Sequence, residues 1–413
     1  MFYVIEKIVR ATFQALSFIF MARFLSPEFL GYIAVVSSII ALLSLVSVFG
    51  LDQMVIRATA KSFASGRGAA FRGAFLSISI GSILASSLLC VALFTAPSFE
   101  RDAIILLSVS IPMASAAIIQ AYLMASRRNK WLSFVLLFEV GVISATRILL
   151  SLYGADPFAF IALIFVDNLL VFAISIGAFC RNLNKPFRAR GGKKLYRVML
   201  TSSAPLALSV VVAFVYMRVD QIMVRFLDGA ETVGTYLVAL RVIDILSLIV
   251  TTVLRNYSAS VLKLFSSDPE EFYFRLERLL SLVIGATILT YLLVYFKGDE
   301  AITAIFGPDY LGASDILQIL ILTMPAILIG QFSFLTSISG GSFSMPLIRS
   351  ILGLLVNIGA NWLLIPIFGG VGAAVGTLIA FWCSAVLSLA FRREDRRIFL
   401  TVLRSTACTW AYR

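Results

Sequence analysis

The sequence predicts an all-α, polytopic membrane protein with about 12 transmembrane helices in two pseudo-symmetric six-helix lobes. Composition is the first reason: 60% of the 413 residues are hydrophobic and 14% are charged, whereas soluble domains carry about 25% charged residues. The second is a series of apolar runs of about 20 residues, the length that crosses a bilayer as a helix. The third is a turn sequence that occurs twice in the chain.

Twelve apolar segments are long enough to span a membrane. They cover residues 4–22, 31–54, 73–96, 102–124, 131–153, 157–180, 199–222, 233–255, 279–296, 314–337, 345–366 and 370–391. Pro112 is expected to kink the fourth helix, because proline removes a helical hydrogen bond and its ring clashes with the preceding turn. Gly372 and Gly376 are spaced for close packing between helices.

The basic residues predict the orientation of these spans. With the N-terminus inside, 26 of the 34 Lys and Arg residues lie on the inner side, counting those at the inner ends of spans, while four lie outside and four lie deeper within spans. Cytoplasmic loops of membrane proteins carry such an excess, so both termini are predicted to be cytoplasmic. The net charge of +12 is then explained by topology, and nucleic acid is not expected as a partner.

The repeated turn indicates two structural repeats. Residues 23–32 read R-F-L-x-x-E-x-x-G-Y, and residues 225–236 read R-F-L-x-x-x-E-x-x-G-x-Y. Paired repeats around a central site are how many transporters are built. The predicted organisation is an N-terminal six-helix lobe at 1–180, a basic cytoplasmic linker at 181–198, a C-terminal six-helix lobe at 199–391 and a cytoplasmic tail at 392–413.

The linker contains seven Lys or Arg residues and no acidic residue between Arg181 and Arg197. Such a segment suits the anionic inner leaflet, and the alternative is a regulatory or partner site. Its Gly191-Gly192-Lys193-Lys194 lacks the spacing of a P-loop, so transport driven by an ATPase in this chain is not indicated.

Eight of the charged residues within predicted spans are candidates for a functional site. Each costs roughly 2.5–3.5 kcal/mol at mid-bilayer, so a chain keeps them mainly where they face a water-filled cavity, a partner or a substrate. They are Arg10, Arg147, Arg218 and Arg241, with Glu139, Asp167, Asp220 and Asp244.

Two of these groups have simpler alternative explanations. The long side chain of Arg10 can reach the cytoplasmic surface. Arg241 and Asp244, three residues apart, can share a helix face and neutralise each other. Glu139 and Arg147 lie about 12 Å apart along one helix, so they are not expected to pair directly, and each needs another partner or water.

Residue types that the chain lacks exclude several chemistries. There is no histidine, which removes His-based proton relays, Ser–His triads and the commonest metal ligand. The four cysteines are scattered without a C-x-x-C pair, so neither a disulfide framework nor a zinc site is indicated. No catalytic residue, metal or cofactor is predicted, and the chain is not expected to be an enzyme.

Three motifs resemble the polysaccharide flippases of the MATE-like exporter superfamily. They are A-R-F-L-S-P-E-F-L-G-Y at 22–32, V-D-Q-I-M at 219–223 with the second repeated turn, and N-x-x-L-I-P-x-x-G-x-x-G-A-A at 361–374. The resemblance implies twelve to fourteen helices in two lobes around a central cavity, in the bacterial inner (plasma) membrane. It implies an undecaprenyl-diphosphate-linked sugar, of O-antigen or exopolysaccharide type, as cargo. The chain has no clear spans thirteen and fourteen, which argues against the lipid II flippase branch.

The predicted function is to flip lipid-linked oligosaccharide repeat units by alternating access, for surface polysaccharide biosynthesis. Guanidinium groups make bidentate contacts with phosphate oxygens, so Arg147 and Arg241, then Arg10 and Arg218, are the candidates for the diphosphate. Glu139, Asp167, Asp220 and Asp244 are candidates to tune those arginines or to carry coupling protons or cations. A glycan polymerase and a chain-length regulator are the expected partners.

Two other functions remain open from the residues. A drug or metabolite antiporter on the same fold would use the buried carboxylates for cation–proton exchange, although buried arginines favour an anionic substrate. A polytopic glycan polymerase or glycosyltransferase usually has a sizeable outer loop or a D-x-D carboxylate pair, and the sequence has no D-x-D.

Overall fold

A computed structural model of the chain describes residues 2–95, 98–126, 130–181, 193–339, 344–387 and 389. Every regular element in these ranges is helical, and they contain no strand, which confirms the all-α class. Most of the predicted linker at 181–198 and the whole predicted tail at 392–413 lie outside the described residues.

Fourteen α-helices follow one another along the described ranges. They are α1 (Phe2–Phe24), α2 (Pro27–Val48), α3 (Leu51–Lys61), α4 (Phe63–Thr95), α5 (Ser98–Ser108), α6 (Ala116–Ala125), α7 (Lys130–Leu152), α8 (Pro157–Arg181), α9 (Lys193–Leu227), α10 (Ala230–Ser267), α11 (Pro269–Phe306), α12 (Ala313–Ile321), α13 (Met324–Ser339) and α14 (Ser344–Trp382). Short 3₁₀ turns lie at Pro112–Ser115 and Pro308–Tyr310, and a π-helical turn covers Cys383–Leu387.

Two of the predicted spans are broken where the backbone cannot continue a helix. Pro112 separates α5 from α6 through a 3₁₀ turn, which confirms the expected kink. Phe49 and Gly50 adopt φ values of 50° and 66° and separate α2 from α3. Only glycine takes this left-handed conformation without a steric penalty, and nothing in the hydropathy of the segment marks the break.

Helix α14 contains the eleventh predicted span and the first part of the twelfth. Gly369 interrupts it with φ 55° and ψ −133°, and the two halves pack against each other. A Cβ on Gly372 would overlap the Leu364 carbonyl oxygen, and one on Gly376 would overlap the Asn361 side chain. The close packing predicted for these two glycines is therefore confirmed.

Helices α10 and α11 extend well beyond the apolar segments that predicted them. They meet at Asp268, whose Oδ1 accepts a hydrogen bond from the Glu271 amide at 3.2 Å, with Pro269 at the first helical position. An aspartate N-cap followed by proline is a strong helix start. Hydropathy locates the part of a helix that lies in lipid and misses its polar continuation.

By length and composition, eight helical segments of the described residues can cross a membrane, or nine if α12 and α13, bent by 43°, form one span. The chain is thus a polytopic membrane protein, and the count of about 12 helices stays a prediction.

The chain divides into two compact units. The first comprises Met1–Leu25 and Tyr32–Phe214, and the second comprises Ser26–Gly31 and Val215–Arg413. The division falls inside α9 and places the first turn of α2 in the second unit. The lobe boundaries at residues 180 and 199 stay a prediction.

Each unit has its own apolar core. In the first, Leu51 and Val55 of α3 pack with Ile118 and Leu123 of α6, all fully buried. In the second, α11 packs against α13, and the rings of Phe272 and Phe332 meet edge to face with centroids 6.4 Å apart. The first core includes residues of α7 and α8, the helices that carry Glu139, Arg147 and Asp167.

Candidate functional site

Arg147 is a half-buried basic residue of the first unit that makes one side-chain hydrogen bond among the described residues. It lies five residues before the end of α7 and donates one hydrogen bond from Nη1 to Ser17 Oγ of α1, at 3.4 Å. No carboxylate oxygen of the described residues lies within 4 Å of its nitrogens. A guanidinium has five N–H donors, so a half-buried one with a single long hydrogen bond is prepared for an anion.

Glu139 lies two turns earlier on α7 and is 4% exposed. Both carboxyl oxygens are buried and have no hydrogen-bond donor among the described residues. Within the described part of the chain, Asp167 on α8 and Arg10 on α1 are the charged groups that act electrostatically on it. Burying a carboxylate without a donor is unfavourable, so this arrangement is costly to keep for structural reasons alone.

These four residues form a cluster that we call the charge ladder: Arg147, Asp167, Glu139 and Arg10. Asp167 joins its two ends, because it acts electrostatically on both Glu139 and Arg147. No ion pair joins Glu139 to Arg147 among the described residues. With every group ionised, the ladder has two positive and two negative charges.

The second unit contains a polar cluster around Asp220, which is 3% exposed on α9. Asp220 Oδ2 accepts a hydrogen bond from the Tyr236 hydroxyl at 2.7 Å, and Oδ1 accepts one from the Gln221 amide at 2.8 Å. Thr377 Oγ1 lies 3.5 Å from Oδ2. The carboxylate is thus fixed by three elements, α9, α10 and the second half of α14.

Asparagine side chains continue this cluster along the first half of α14. Asn357 Nδ2 donates to Thr377 Oγ1 at 3.4 Å, and Asn361 Nδ2 donates to Asn357 Oδ1 at 2.9 Å. Asn361 Oδ1 is buried without a hydrogen-bond donor among the described residues. The fold-back at Gly369 brings these residues together. The result, called here the Asp220 cluster, is rich in oxygen atoms, with one carboxylate and otherwise neutral groups.

Sequence reasoning found Asp220 and missed its partners. Tyr236 belongs to the second repeated turn, whereas Asn357 and Thr377 lie in helices nearly free of charge. The sequence pattern that could have indicated these partners is a pair of asparagines four residues apart, Asn357 and Asn361, followed by a proline, two glycines and then Thr377. Within the described residues, no group of three or more His, Cys, Asp or Glu side chains could hold a metal ion.

The remaining candidates lie apart from these two clusters or at their margin. Arg218 acts electrostatically on Asp220 and is itself half-buried. Arg241 and Asp244 form an ion pair at 3.4 Å, with side chains 43% and 50% exposed. The pairing predicted from their spacing is confirmed.

The two copies of the repeated turn contact each other. A Cβ on Gly31 would overlap the Ala230 carbonyl oxygen, and a Cβ on Gly234 would overlap the Pro27 carbonyl oxygen. Pro27 and Ala230 begin α2 and α10, and each glycine is the fifth residue of its helix. The contact is therefore reciprocal, and it explains why both copies of the turn carry glycine at the same position.

Comparison with known proteins identifies the family. Residues 20–315 match the profile of a family described as polysaccharide biosynthesis protein. The chain belongs to this family. The match covers most of the sequence and confirms the resemblance that the three motifs indicate.

Solved structures share the fold at low sequence identity. The lipid II flippase MurJ, in an inward closed conformation, has a TM-score of 0.74 and 19% identity, over 98% of this chain and 91% of that one. An inward-facing multidrug resistance MATE family transporter has a TM-score of 0.71 and 13% identity, over 96% of each chain. A transporter of the MOP superfamily from Pyrococcus furiosus has a TM-score of 0.59 and 14% identity, over 98% of this chain and 94% of that one.

No curated protein matches the chain in sequence. The structural neighbours thus establish the fold, which a lipid flippase and drug transporters share, and the family establishes the link to polysaccharide biosynthesis.

Proposed function

We propose that the chain is a flippase that moves undecaprenyl-diphosphate-linked oligosaccharide repeat units across the bacterial inner membrane by alternating access. Family membership supports a role in surface polysaccharide biosynthesis. The fold supports transport, since both a lipid flippase and drug transporters have it. The charged residues inside the helices support an anionic cargo.

The observation that carries the proposal is the environment of the Arg147 guanidinium group. Its guanidinium is held inside a membrane unit by one long hydrogen bond to Ser17 and has no carboxylate within 4 Å among the described residues. A diphosphate offers paired oxygens that match the guanidinium fork, and such charge-assisted bonds are about twice as strong as neutral ones. Arg10, Arg218 and Arg241 are proposed as further contacts for the diphosphate and sugars.

The lobes at 1–180 and 199–391 are proposed to rock about this cargo while its prenyl tail stays in lipid. The basic inner loops support cytoplasmic termini, and the linker at 181–198 would then lie on the anionic inner leaflet. A glycan polymerase that receives the flipped units and a chain-length regulator are the proposed partners.

The test of this function is a deletion strain. Loss of surface glycan, together with accumulation of cytoplasm-facing undecaprenyl-diphosphate repeat units, is the expected result. Repeat units that reach the outer face unpolymerised would point to a polymerase instead. Unchanged glycan with altered tolerance of cationic drugs would favour the antiporter.

Asp220 is proposed to carry the coupling proton or cation. Oxygen atoms of Asp220, Asn361 and Thr377 are ligands that hard cations prefer, and Asn361 Oδ1 lacks a donor in the described part of the chain. Changing Asp220 to Asn removes the charge and keeps the shape. It is expected to lower glycan export at least tenfold and to remove its dependence on the ion gradient, measured by collapsing the proton or sodium gradient in cells.

The matched control is Asp299→Asn, which changes an exposed carboxylate of the same unit, on α11. If the Asp220 variant kept both export and its response to the gradient, the coupling role would be wrong.

Arg241 allows a separate test, because it is paired with Asp244. If Arg241 binds substrate, Arg241→Ala abolishes export and the double change Arg241→Ala, Asp244→Ala does not restore it. If the pair only neutralises itself, the double variant recovers export, because no unpaired charge remains. We expect no recovery, measured as surface glycan at matched protein level.

A further inference from the structure

We infer that the hairpin of α3 and α4 binds the headgroup of an anionic phospholipid, such as phosphatidylglycerol, at the predicted inner face of the membrane. The binding surface, called here the α3–α4 basic surface, consists of Arg57 and Lys61 on α3 with Arg67 and Arg72 on α4. The inference goes beyond the proposed function, because it concerns a lipid of the surrounding bilayer and does not require that the chain be a flippase.

The two helices form a tight antiparallel hairpin. The Gly66 amide donates to the Ser62 carbonyl oxygen at 2.9 Å, directly after α3 ends. A Cβ on Gly66 would overlap the Thr59 side chain, and a Cβ on Gly73 would lie 3.7 Å from Leu51 Cβ. Because backbone and side chains meet closely at both points, the register of the hairpin is fixed, and with it the height of each basic residue.

The surface carries positive charge that no nearby carboxylate cancels. No Asp or Glu occurs at positions 53–99, and Asp52 before them accepts a hydrogen bond from Gln53 at 3.1 Å. Arg57 and Lys61 are exposed and one helical turn apart. Among the described residues, no carboxylate oxygen lies within 4 Å of their side-chain nitrogens. Basic clusters at the inner face of a membrane attract anionic lipid headgroups.

Exposed aromatic rings lie deeper along α4 than the charges. Phe71 and Phe75 follow Arg67 at intervals of four residues, so the three side chains share one helix face. The two rings are 46% and 59% exposed. Arg57 and Arg67 each lie about 7 Å from the turn at Ser62, and Phe75 lies about 20 Å from it, at 1.5 Å per residue. A basic level above exposed rings matches the phosphate and the acyl chains of one lipid leaflet.

The exposed position favours a lipid of the bilayer over the diphosphate of the proposed cargo. Both offer phosphate oxygens, to which Arg and Lys donate charge-assisted hydrogen bonds. A phospholipid at Arg57 and Lys61 stays level with the other headgroups of its leaflet. Its acyl chains can pack on Phe71 and Phe75 without entering the protein.

The experiment is native mass spectrometry of the full chain in detergent, titrated with phosphatidylglycerol or with phosphatidylethanolamine of the same acyl chains. The second lipid is zwitterionic, so the ratio of the two affinities isolates the contribution of charge. The test variant is Arg57→Gln, Lys61→Gln, which changes two exposed side chains of α3 and leaves its packed face intact. The control is Arg275→Gln, Lys297→Gln, which removes the same charge from two exposed ion pairs of α11.

The unchanged protein is expected to bind phosphatidylglycerol more tightly than phosphatidylethanolamine. A basic side chain close to anionic lipid contributes roughly fivefold in affinity, so the test variant should bind phosphatidylglycerol about 25-fold more weakly. Its affinity for phosphatidylethanolamine should not change, and the control should keep both affinities. Arg57→Lys should bind as the unchanged protein does, because the charge is retained.

Equal affinity of the test variant and the unchanged protein for phosphatidylglycerol would overturn the inference. Equal weakening in the control would do the same, because binding would then follow net charge alone. Normal binding of phosphatidylglycerol by the test variant, with lost binding of farnesyl diphosphate, would assign the surface to the cargo headgroup instead. These measurements report lipid binding without transport, so each of these outcomes leaves the flippase proposal standing.

Discussion

Replacing Arg147 with alanine is expected to abolish export of the surface glycan while the protein remains folded and present at its normal level. The side chain loses a 3.4 Å hydrogen bond to Ser17 and its electrostatic interaction with Asp167. Neither is a close ion pair, so the unit is expected to stay folded. The lost diphosphate contacts are charge-assisted, and each is worth roughly 1.5–3 kcal/mol. Two such bonds correspond to a reduction of at least 100-fold in binding.

The measurement is surface glycan and undecaprenyl-diphosphate repeat units in a deletion strain that carries the variant. The matched control is Arg275→Ala, which removes an arginine from an exposed ion pair with Glu271 at 2.6 Å on α11 and should leave export unchanged. Arg147→Lys should give intermediate export, because an ammonium keeps the charge and loses the fork. Full export by Arg147→Ala would contradict the assignment of the diphosphate to this residue.

Replacing Gly31 with leucine is expected to have the second-largest effect. The new side chain would meet the backbone of Ala230, where its own Cβ already overlaps the carbonyl oxygen. Backbone cannot rotate away as a side chain can, so α2 and α10 must separate at their first turns. Overpacking of this kind costs about 1–3 kcal/mol, and we expect glycan export to fall at least tenfold.

Gly234→Leu should have the same effect, because the contact is reciprocal through Pro27. The control is Gly285→Leu on α11, where a Cβ meets nothing within 4 Å. Thermal stability in detergent and export are both measured. Unchanged values for both glycine variants would show that the contact between the repeated turns is dispensable.

The fold class and most helix positions could be predicted because hydropathy records directly which segments lie in lipid. Hydropathy does not indicate backbone breaks inside an apolar run. The interruption at Phe49–Gly50 was not predicted for that reason. Hydropathy also falls where charged residues begin, so the polar ends of α10 and α11 were not predicted to be helical. The break at Pro112 was predicted, because proline acts locally.

The candidate sites were predicted in part. Charges at membrane depth are rare, so Arg147, Glu139, Asp167 and Asp220 could be selected from the sequence. Their partners depend on which helices pack together: Asp167 meets Glu139 through the contact of α8 with α7, and Thr377 meets Asp220 through the fold-back of α14. Neutral residues such as Asn357 carry no signal of their own until that packing is known.

The most direct test of the flippase proposal is transport by the purified protein in proteoliposomes. Undecaprenyl-diphosphate-linked oligosaccharide with a fluorescent sugar would be placed in both leaflets, and a membrane-impermeant quencher would report how fast the inner-leaflet pool becomes accessible. The predicted result is rapid movement of the whole pool with the unchanged protein, slow movement with Arg147→Ala, and movement equal to the unchanged protein with Arg275→Ala. If the unchanged protein left the inner-leaflet pool protected, as empty liposomes do, the flippase proposal would be contradicted.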